Sequence, residues 1–361
     1  MKIVFFSGDI GRSGGTERVL CTIANGLVAK GYDIVIFSLT GQGPVFFPLD
    51  KRIKVCWIGS RGLQTDILQN LNKLRKFMKA EKPDFLVDVD IILGFYSILL
   101  KMMFRDVHWI SWEHFNFYTK FPVNHNLRKV ARFLVSRFSE CLVVLSEEDK
   151  GYYESNMKLR CRIEKIHNPT PYDVTKIENE KTIEEKKVLA VGALVWIKGY
   201  DMLLKSWRPV EKKHPDWKLQ FIGDGEEKEN LIREAEKLGI KNVEFVGKVA
   251  DVVEYYKKAA FLVLSSRNEG FPMVLLEAMS YSLPVVAFQC KAGVTVTVKD
   301  NETGYLVKNR DLRDLARKLD SMIEDDEKRR IMGENAKKHM ENFSLEKITE
   351  EWDRLFHDLK K

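Results

Sequence analysis

Cysteine is scarce in this chain and never organised. The five thiols (Cys21, Cys56, Cys141, Cys161 and Cys290) are odd in number and scattered, with no C-x-x-C pair among them. That argues against a disulfide framework and a zinc site, and for a reducing compartment. Several lie in apolar runs such as ECLVVLS, where a thiol serves as a small hydrophobe. Long apolar runs are missing too. No stretch approaches the ~20 residues a helix needs to span a bilayer, and the opening MKIVFFSGD is too short for a secretory signal and reads as a first strand. The expected location is cytoplasmic, with peripheral attachment to the inner face of the cytoplasmic membrane left open. Charge of one sign is not in large excess. A balance of 59 basic and 52 acidic residues leaves +7, which favours anionic partners such as phosphates or acidic lipid, with no nucleic acid implied.

What is present is enough chain, at 361 residues, for two domains that each bury a core. Short apolar runs alternate with amphipathic stretches of helical period, the pattern of parallel sheets covered by helices. In the first half KIVFFS, DIVIFSL, DFLVDVD, HWISWE, CLVVLS and RIEKIHN read as strands. TERVLCTIANGLVAKG reads as a helix with Val19, Leu20, Ile23 and Leu27 on one face and a stop at Gly31. Residues 169–187, PTPYDVTKIENEKTIEEKK, break the rhythm with prolines and charge, as a linker does. A second series follows: KVLAVGAL, KLQFIGDG, VEFVGK, AFLVLSS, PVVAF and GYLVKN. The expected fold is α/β, with two doubly wound Rossmann-like domains, 1–170 and 186–344, facing each other across a cleft. Ligands of such sheets bind beyond the C-terminal strand ends. The final LEKITEEWDRLFHDLKK sets Trp352, Leu355 and Leu359 at helical spacing, and this helix, about 345–361, is expected to pack back on the first domain.

Four stretches are candidates for chemistry. SGDIGRSGGTERVL joins the first strand to the first helix through Gly8, Gly11, Gly14 and Gly15, yet it is neither G-x-G-x-x-G nor a P-loop. Such a turn is either structural or phosphate-binding, and the Gly14-Gly15 doublet at the helix start favours phosphate. VGALVWIKGYDMLL puts Lys198 beside Gly199 in the equivalent turn of the second half, as a solvated charge or a phosphate contact. In SRNEGFPMVLLEAMS, Gly270 precedes Pro272 where a helix begins, so N–H groups from Gly270 to Val274 can meet an anion or hydroxyl. Glu269 and Glu277 are eight residues apart, roughly one helix face. They either decorate a surface or each accept a pair of hydroxyls.

WISWEHFNFYTKF closes a strand with Glu113 and His114, the histidine being structural or catalytic. Beyond Glu113 no acidic residue appears until Glu140, while Lys120, Arg128, Lys129, Arg132 and Arg137 gather among Phe115, Phe117, Tyr118, Phe121 and Phe133. That is a solvated helix face, or a surface that docks on anionic lipid or a diphosphate-bearing substrate. SEEDKGYY reads as a solvated charge run. The D-x-D at Asp88 and Asp90 ends a buried-looking strand and reads as structural, with no metal implied.

Together these motifs resemble glycosyltransferase family 4 (glycosyl transferases group 1), retaining enzymes of the GT-B fold, over essentially the whole chain. The most specific is the E-x7-E of EGFPMVLLEA, joined in family order by GRSGGTERV, GAL…KG, FIGDGEE and FVGKVADVVEYY. SWEHFN is similar to the EH segment of members that extend lipid-linked oligosaccharides. The resemblance implies transfer of a sugar from a nucleotide-diphosphate donor, by family habit a UDP-sugar, to a lipid-linked diphosphate glycan, with no metal or other cofactor. Glu269 would contact donor hydroxyls, and Glu277 the ribose. The turn at Gly270, Phe271, Pro272 and Met273 would hold sugar and diphosphate, and Lys198 would neutralise the leaving group. Gly14 and Gly15 would face the phosphates, the backbone at Val249 would receive the base, and His114 would sit beside the transferred sugar. Asn116, Lys120, Arg128, Lys129 and Arg132 would form the acceptor or membrane surface. One position departs from the family. Where G-R-L is usual, this chain has Gly192-Ala193-Leu194, so the arginine that accompanies Lys198 is absent, and Arg267, Lys291 and Arg12 are the candidate replacements. A nucleotide-sugar epimerase or hydrolase, and a non-catalytic sugar-nucleotide binder, are the alternatives.

Overall fold

The computed structural model describes residues 1–119, 125–177, 185–249 and 251–361, with the side chain of His125 excluded. These divide into two units, Met1–Pro171 with Leu345–Lys361, and Tyr172–Ser344. Of the linker read from the sequence, residues 178–184 lie outside the described residues.

The first unit runs β1 (Lys2–Ser7), α1 (Gly15–Ala29), β2 (Asp33–Thr40), β3 (Lys54–Ser60), α2 (Ile67–Glu81) and β4 (Phe85–Val89). It continues through α3 (Gly94–Met103), β5 (His108–Trp112), α4 (His125–Phe138), β6 (Cys141–Val144), α5 (Glu147–Asn156) and β7 (Arg162–Lys165). The strands form a sheet of order β3-β2-β1-β4-β5-β6-β7 whose pairings are all parallel. Central strands such as Phe85–Val89 are buried along their whole length, as strands covered by helices on both faces must be. The sequence reading missed β3. Its KVCWIGS lies at the sheet edge and buries only alternate residues, so Lys54 and Gly59 interrupt the apolar run that marks the central strands.

The second unit holds β8 (Lys187–Val191), α6 (Tyr200–Lys213), β9 (Lys218–Ile222), α7 (Lys228–Leu238), β10 (Val243–Gly247), α8 (Val253–Lys258) and β11 (Phe261–Leu264). Then come α9 (Met273–Ser280), β12 (Val285–Gln289), α10 (Val294–Thr297), β13 (Gly304–Lys308), α11 (Leu312–Glu324) and α12 (Asp326–Met340). Its parallel sheet has the order β10-β9-β8-β11-β12-β13. In both sheets the chain winds outward from a central strand, then crosses to the other side of it. The strand order reverses between β1 and β4 and again between β8 and β11, the positions in such sheets at which ligands bind beyond the C-terminal strand ends.

A last helix, α13 (Leu345–Lys360), belongs to the first unit. It buries Ile348, Trp352, Leu355 and Phe356 on one stripe and lies against α1, where Gly26 leaves room for Leu345 and Thr349. The Trp352 ring meets those of Phe5 at 6.5 Å and Trp112 at 5.0 Å, so this helix closes the core beneath β1 and β5. Trp352→Ala is expected to cost about 3–5 kcal/mol, the usual price of emptying a buried aromatic site. The measurement is urea unfolding followed by tryptophan-independent circular dichroism. An unshifted midpoint would count against the docking of α13.

Candidate active site

In the second unit the loops after β8 and β11 are fastened to each other. A one-turn 3-10 helix, Trp196–Lys198, ends in Gly199 at φ +66°, and a Cβ there would collide with the Ser265 carbonyl oxygen. Ser265 Oγ donates to the Lys198 carbonyl at 3.0 Å, and the Arg267 amide donates to that of Ile197 at 2.8 Å. This contact places Lys198 Nζ 2.8 Å from Glu269 Oε1, which also accepts from Ser266 Oγ at 2.6 Å. Both charged groups keep some exposure, 23% and 12% of their side chains. An ammonium has three N–H donors, so Lys198 can hold Glu269 and still offer charge to an anion. Its stem lies over Gly192, whose φ of +146° suits glycine alone. Serine 266 was not singled out from the sequence, since nothing local distinguishes it from Ser265.

The turn into α9 follows directly. Helix α9 begins at Met273, with Pro272 as its extended N-cap residue at ψ 109°. Glu269 is therefore outside the helix, and the expectation that it shares a helix face with Glu277 is corrected: its place is set by Lys198 and Ser266. Pro272 has no N–H, so the donors of this turn are the amides of Gly270, Phe271, Met273 and Val274. Phe271 turns its ring to Phe343 (5.9 Å), leaving only its backbone toward the turn. Glu277 is buried and accepts from Tyr256 Oη at 2.9 Å. Val249 follows the end of β10 and is half-buried. Ala193 is exposed. Arg267 does not stand in for the arginine missing there. It is bound to both oxygens of Asp201 (2.8 and 2.7 Å), donates to the Trp196 carbonyl and lies 4.5 Å from the centre of the Trp196 ring.

In the first unit the turn between β1 and α1 has Gly14 as the extended N-cap residue. The Glu17 carboxylate folds back over it, accepting from the Gly14 and Glu17 amides, and burial raises its pKa despite Arg12 nearby. The loop after β5 holds the second cluster. His114 is buried against the Trp112 ring (4.3 Å), and among the described residues its Nε2 has no hydrogen-bond partner. Burial, helped by the Arg128 guanidinium, pushes its pKa down to about 3, so the ring is neutral at ordinary pH.

Arg128 and Arg132 are corrected from surface residues to buried ones. Arg128 pairs with Asp90 (2.5 Å) and Glu113 (3.4 Å), and Arg132 lies 3.6 Å from Glu113, whose side chain is fully buried. No acid lies near them in sequence beyond Glu113, but the fold supplies Asp90 from the end of β4. Asn116 is buried as well, whereas Lys129 is exposed and Lys120 lies outside the described residues. SEEDKGYY is not a solvated run throughout: Ser146 caps α5 by accepting from the Asp149 amide (3.1 Å), and Asp149 and Tyr153 are buried. The D-x-D splits too. Asp88 is buried, accepting from Trp109 Nε1 (2.8 Å) and Ser97 Oγ, while Asp90 caps the next turn and pairs with Arg128. Elsewhere His214, Asp320 and Glu324 come together, but Lys213 Nζ is paired with both carboxylates at 2.7 and 2.6 Å.

Comparison with known proteins is consistent over the whole chain. Residues 13–173 match the model for Glycosyltransferase Family 4, and residues 173–339 that for Glycosyl transferases group 1. An uncharacterized glycosyltransferase of Haemophilus influenzae is 35% identical over 97% of this chain and 98% of its own length. A Campylobacter jejuni α-1,4-N-acetyl-D-galactosaminyltransferase, named for a diNAcBac-PP-undecaprenol-linked GalNAc disaccharide, is 32% identical over 100% of this chain and 99% of its own. The amylovoran biosynthesis glycosyltransferase AmsD of Erwinia amylovora is 29% identical over 99% of both chains. In fold, Staphylococcus aureus TarM, solved with UDP, superposes with a TM-score of 0.85 at 16% identity, covering 99% of this chain and 100% of its own. HepE of Anabaena, solved with UDP-glucose, gives 0.84 at 18% identity over 99% of both.

Burial raises the Asp88 pKa to about 8 from its ordinary 3.8. Between those values the folded chain holds a proton the unfolded chain has lost, so this group's contribution to stability falls as pH rises through that window. Asp88→Asn imitates the protonated form. Its urea midpoint should decline less between pH 5 and pH 8 than that of the parent, by roughly 1–3 kcal/mol in stability. Equal declines would show that Asp88 is ionised in the fold.

Proposed function

The chain belongs to the family 4 glycosyltransferases, glycosyl transferases group 1, and from that premise we propose that it moves a sugar from a UDP-sugar to a lipid-linked glycan with retention of anomeric configuration. The observation that carries the donor site is the Lys198–Glu269–Ser266 cluster, set directly before the turn into α9. Lys198 meets the charge that develops on the departing diphosphate, and the amides of Gly270, Phe271, Met273 and Val274 add to it. Fixed donors aimed at developing charge are the largest single source of rate in reactions of this kind. Glu269 accepts from hydroxyls of the sugar. Glu277 accepts from the ribose, and the backbone at Val249 takes the base. Gly14 and Gly15 serve the phosphates once the Glu17 carboxylate turns aside.

In the reaction the bond from the anomeric carbon to the phosphate oxygen breaks, and the acceptor oxygen bonds to that carbon on the same face. The acceptor proton passes to the leaving phosphate oxygen. His114, neutral, accepts from or donates to a hydroxyl of the sugar in transit. The scheme uses no metal. The substrate for which the Campylobacter relative is named, a glycan on undecaprenyl diphosphate, supports an acceptor of that class.

A lipid-linked acceptor places the protein at a bilayer, and the corrected surface suits one. With Arg128 and Arg132 buried, α4 exposes Val130, Phe133 and Phe138 together with Lys129 and Asn126 among its described side chains. The neighbouring α3 ends in exposed Met102 and Met103, followed by exposed Arg105. Apolar side chains with basic neighbours favour an acidic lipid surface. Among the described residues no helix is long and apolar enough to cross a membrane.

Kinetic and binding measurements test this reading. Lys198→Ala and Glu269→Gln should each lower kcat about 100-fold or more, the usual effect of losing one group that stabilises the transition state. UDP should raise the Tm of the parent, and turnover of the UDP-sugar should require the acceptor. Acceptor-independent turnover would select the epimerase or hydrolase alternative, and UDP binding without turnover the non-catalytic one. Separately, Met102→Glu with Phe133→Glu should weaken sedimentation with phosphatidylglycerol vesicles by about tenfold or more, since each buried apolar side chain is worth roughly 1.5–3 kcal/mol. Unchanged binding would remove this surface from the proposal.

A further inference from the structure

The loop after β5 is held by buried charge to a degree that folding alone does not call for. Glu113 Oε1 accepts from the Phe115 amide (3.1 Å) and Arg128 Nη1 (3.4 Å), and Oε2 accepts from Tyr153 Oη (3.2 Å). Asp149 Oδ1, from α5, accepts from the Phe117 amide at 2.8 Å. Arg132, from α4, donates through Nη1 to the Phe117 carbonyl (2.5 Å) and through Nη2 to that of Asn116 (3.3 Å). The Asn116 side chain in turn accepts from the Tyr118 amide at 2.8 Å. The guanidiniums of Arg128 and Arg132 also lie over the Phe115 and Phe117 rings, at 4.6 and 4.9 Å.

Every residue from Phe115 to Tyr118 thus has a backbone group bound by a side chain. Two side-chain atoms of the same loop are left over: His114 Nε2 and Asn116 Nδ2 are buried and, among the described residues, without partners. Burying two guanidiniums and two carboxylates is a poor way to gain stability, because desolvation cancels most of the attraction and an apolar core of equal volume would serve as well. Directed hydrogen bonds to a backbone do what an apolar core cannot, since they fix its position to a fraction of an ångström. The bonds converge on the segment that carries the unsatisfied imidazole.

We propose that Arg132 and Asp149 are positioning residues for His114: from α4 and α5 they clamp the 115–117 backbone, holding the imidazole and the Asn116 amide ready for hydroxyls of the substrate. This rests on the reading above in which His114 contacts the sugar. Asn116 Nδ2 then contacts substrate directly as a donor, a role distinct from the surface one.

The test is a set of variants of the full-length chain assayed with UDP-sugar and acceptor. Arg132→Met should lower kcat about 10- to 100-fold, the effect of moving a reacting group by about an ångström, while the donor KM and the Tm shift given by UDP stay at parent values. In a His114→Ala background the same substitution should lower kcat by a clearly smaller factor than in the parent, because part of its effect passes through the imidazole. Asp149→Ala should lower kcat, and Asp149→Asn, which keeps an acceptor for the Phe117 amide, should restore most of it. This pair carries the test where Arg132→Met does not fold. Losses that multiply in the double variant, or equal rates in the Asp149 pair, overturn the positioning role and leave the His114 reading standing. A His114→Ala variant with parental kcat overturns both.

Discussion

The second unit is organised around one close approach. Strands β8 and β11 are neighbours at the middle of the sheet, and the loops leaving them touch where Gly199 meets the Ser265 carbonyl. Only a residue without Cβ, and with a left-handed backbone, permits that contact. The rest depends on it. Once the two loops are joined, Lys198 comes within hydrogen-bonding distance of Glu269, Ser266 reaches the same oxygen, and Arg267 locks the arrangement by seizing Asp201 and the Trp196 carbonyl. Further glycines serve the same end. A Cβ at Gly223 would strike the Gly192 carbonyl, one at Gly225 that of Leu194, and one at Gly293 that of Gly270. The polar groups of this site are therefore carried on backbone packed against backbone, which gives them little freedom to move apart.

The two units handle charge differently, and the contrast follows from what each is proposed to bind. Lys198 and Glu269 stay partly exposed, so their attraction is moderated by water and can be traded for a ligand's phosphate and hydroxyls. Glu113, Arg128 and Arg132 are buried, where parting any pair would strand an uncompensated charge. Burial raises the Glu113 pKa even between two guanidiniums, and raises that of Asp149 to about 7. The first arrangement is exchangeable and the second is fixed. An exchangeable pair fits a site that must release a diphosphate in each cycle. A fixed cluster fits a loop whose task is to hold a neutral histidine still.

The sequence revealed the parallel architecture because central strands buried on both faces are apolar throughout, and twelve strands, those central ones among them, were legible from it. The thirteenth strand, Lys54–Ser60, escaped because an edge strand needs only alternate apolar residues. In the candidate site, Lys198, Glu269 and Glu277 were legible from glycines and prolines that mark strand-to-helix turns. What could not be read was pairing between distant residues. Arg128 and Arg132 stand in a stretch without acids, so they read as a surface, yet Asp90, the partner of Arg128, is 38 residues away and arrives through the sheet order. Asp149 was hidden for a converse reason: three acids in a row suggest solvent, and only the helix phase set by Ser146 turns one of them inward.

The missing arginine at position 193 can now be argued from geometry. Ala193 is exposed, directly after Gly192, over which the Lys198 stem lies. Arg267, the guanidinium nearest in sequence to Glu269, does not take its place, since it is bound to Asp201. In the proposed site the diphosphate is met by the Lys198 ammonium and the amides at the start of α9. Backbone amides lose no side-chain entropy on binding and are already fixed by the turn, whereas an arginine must surrender rotamer freedom to grip a phosphate. On the proposed reading, loss of the arginine would shift the work from a second cation to Lys198 and the preset turn, and the Lys198–Glu269 contact becomes the more consequential, because Glu269 holds the one cation that the loop after β8 presents.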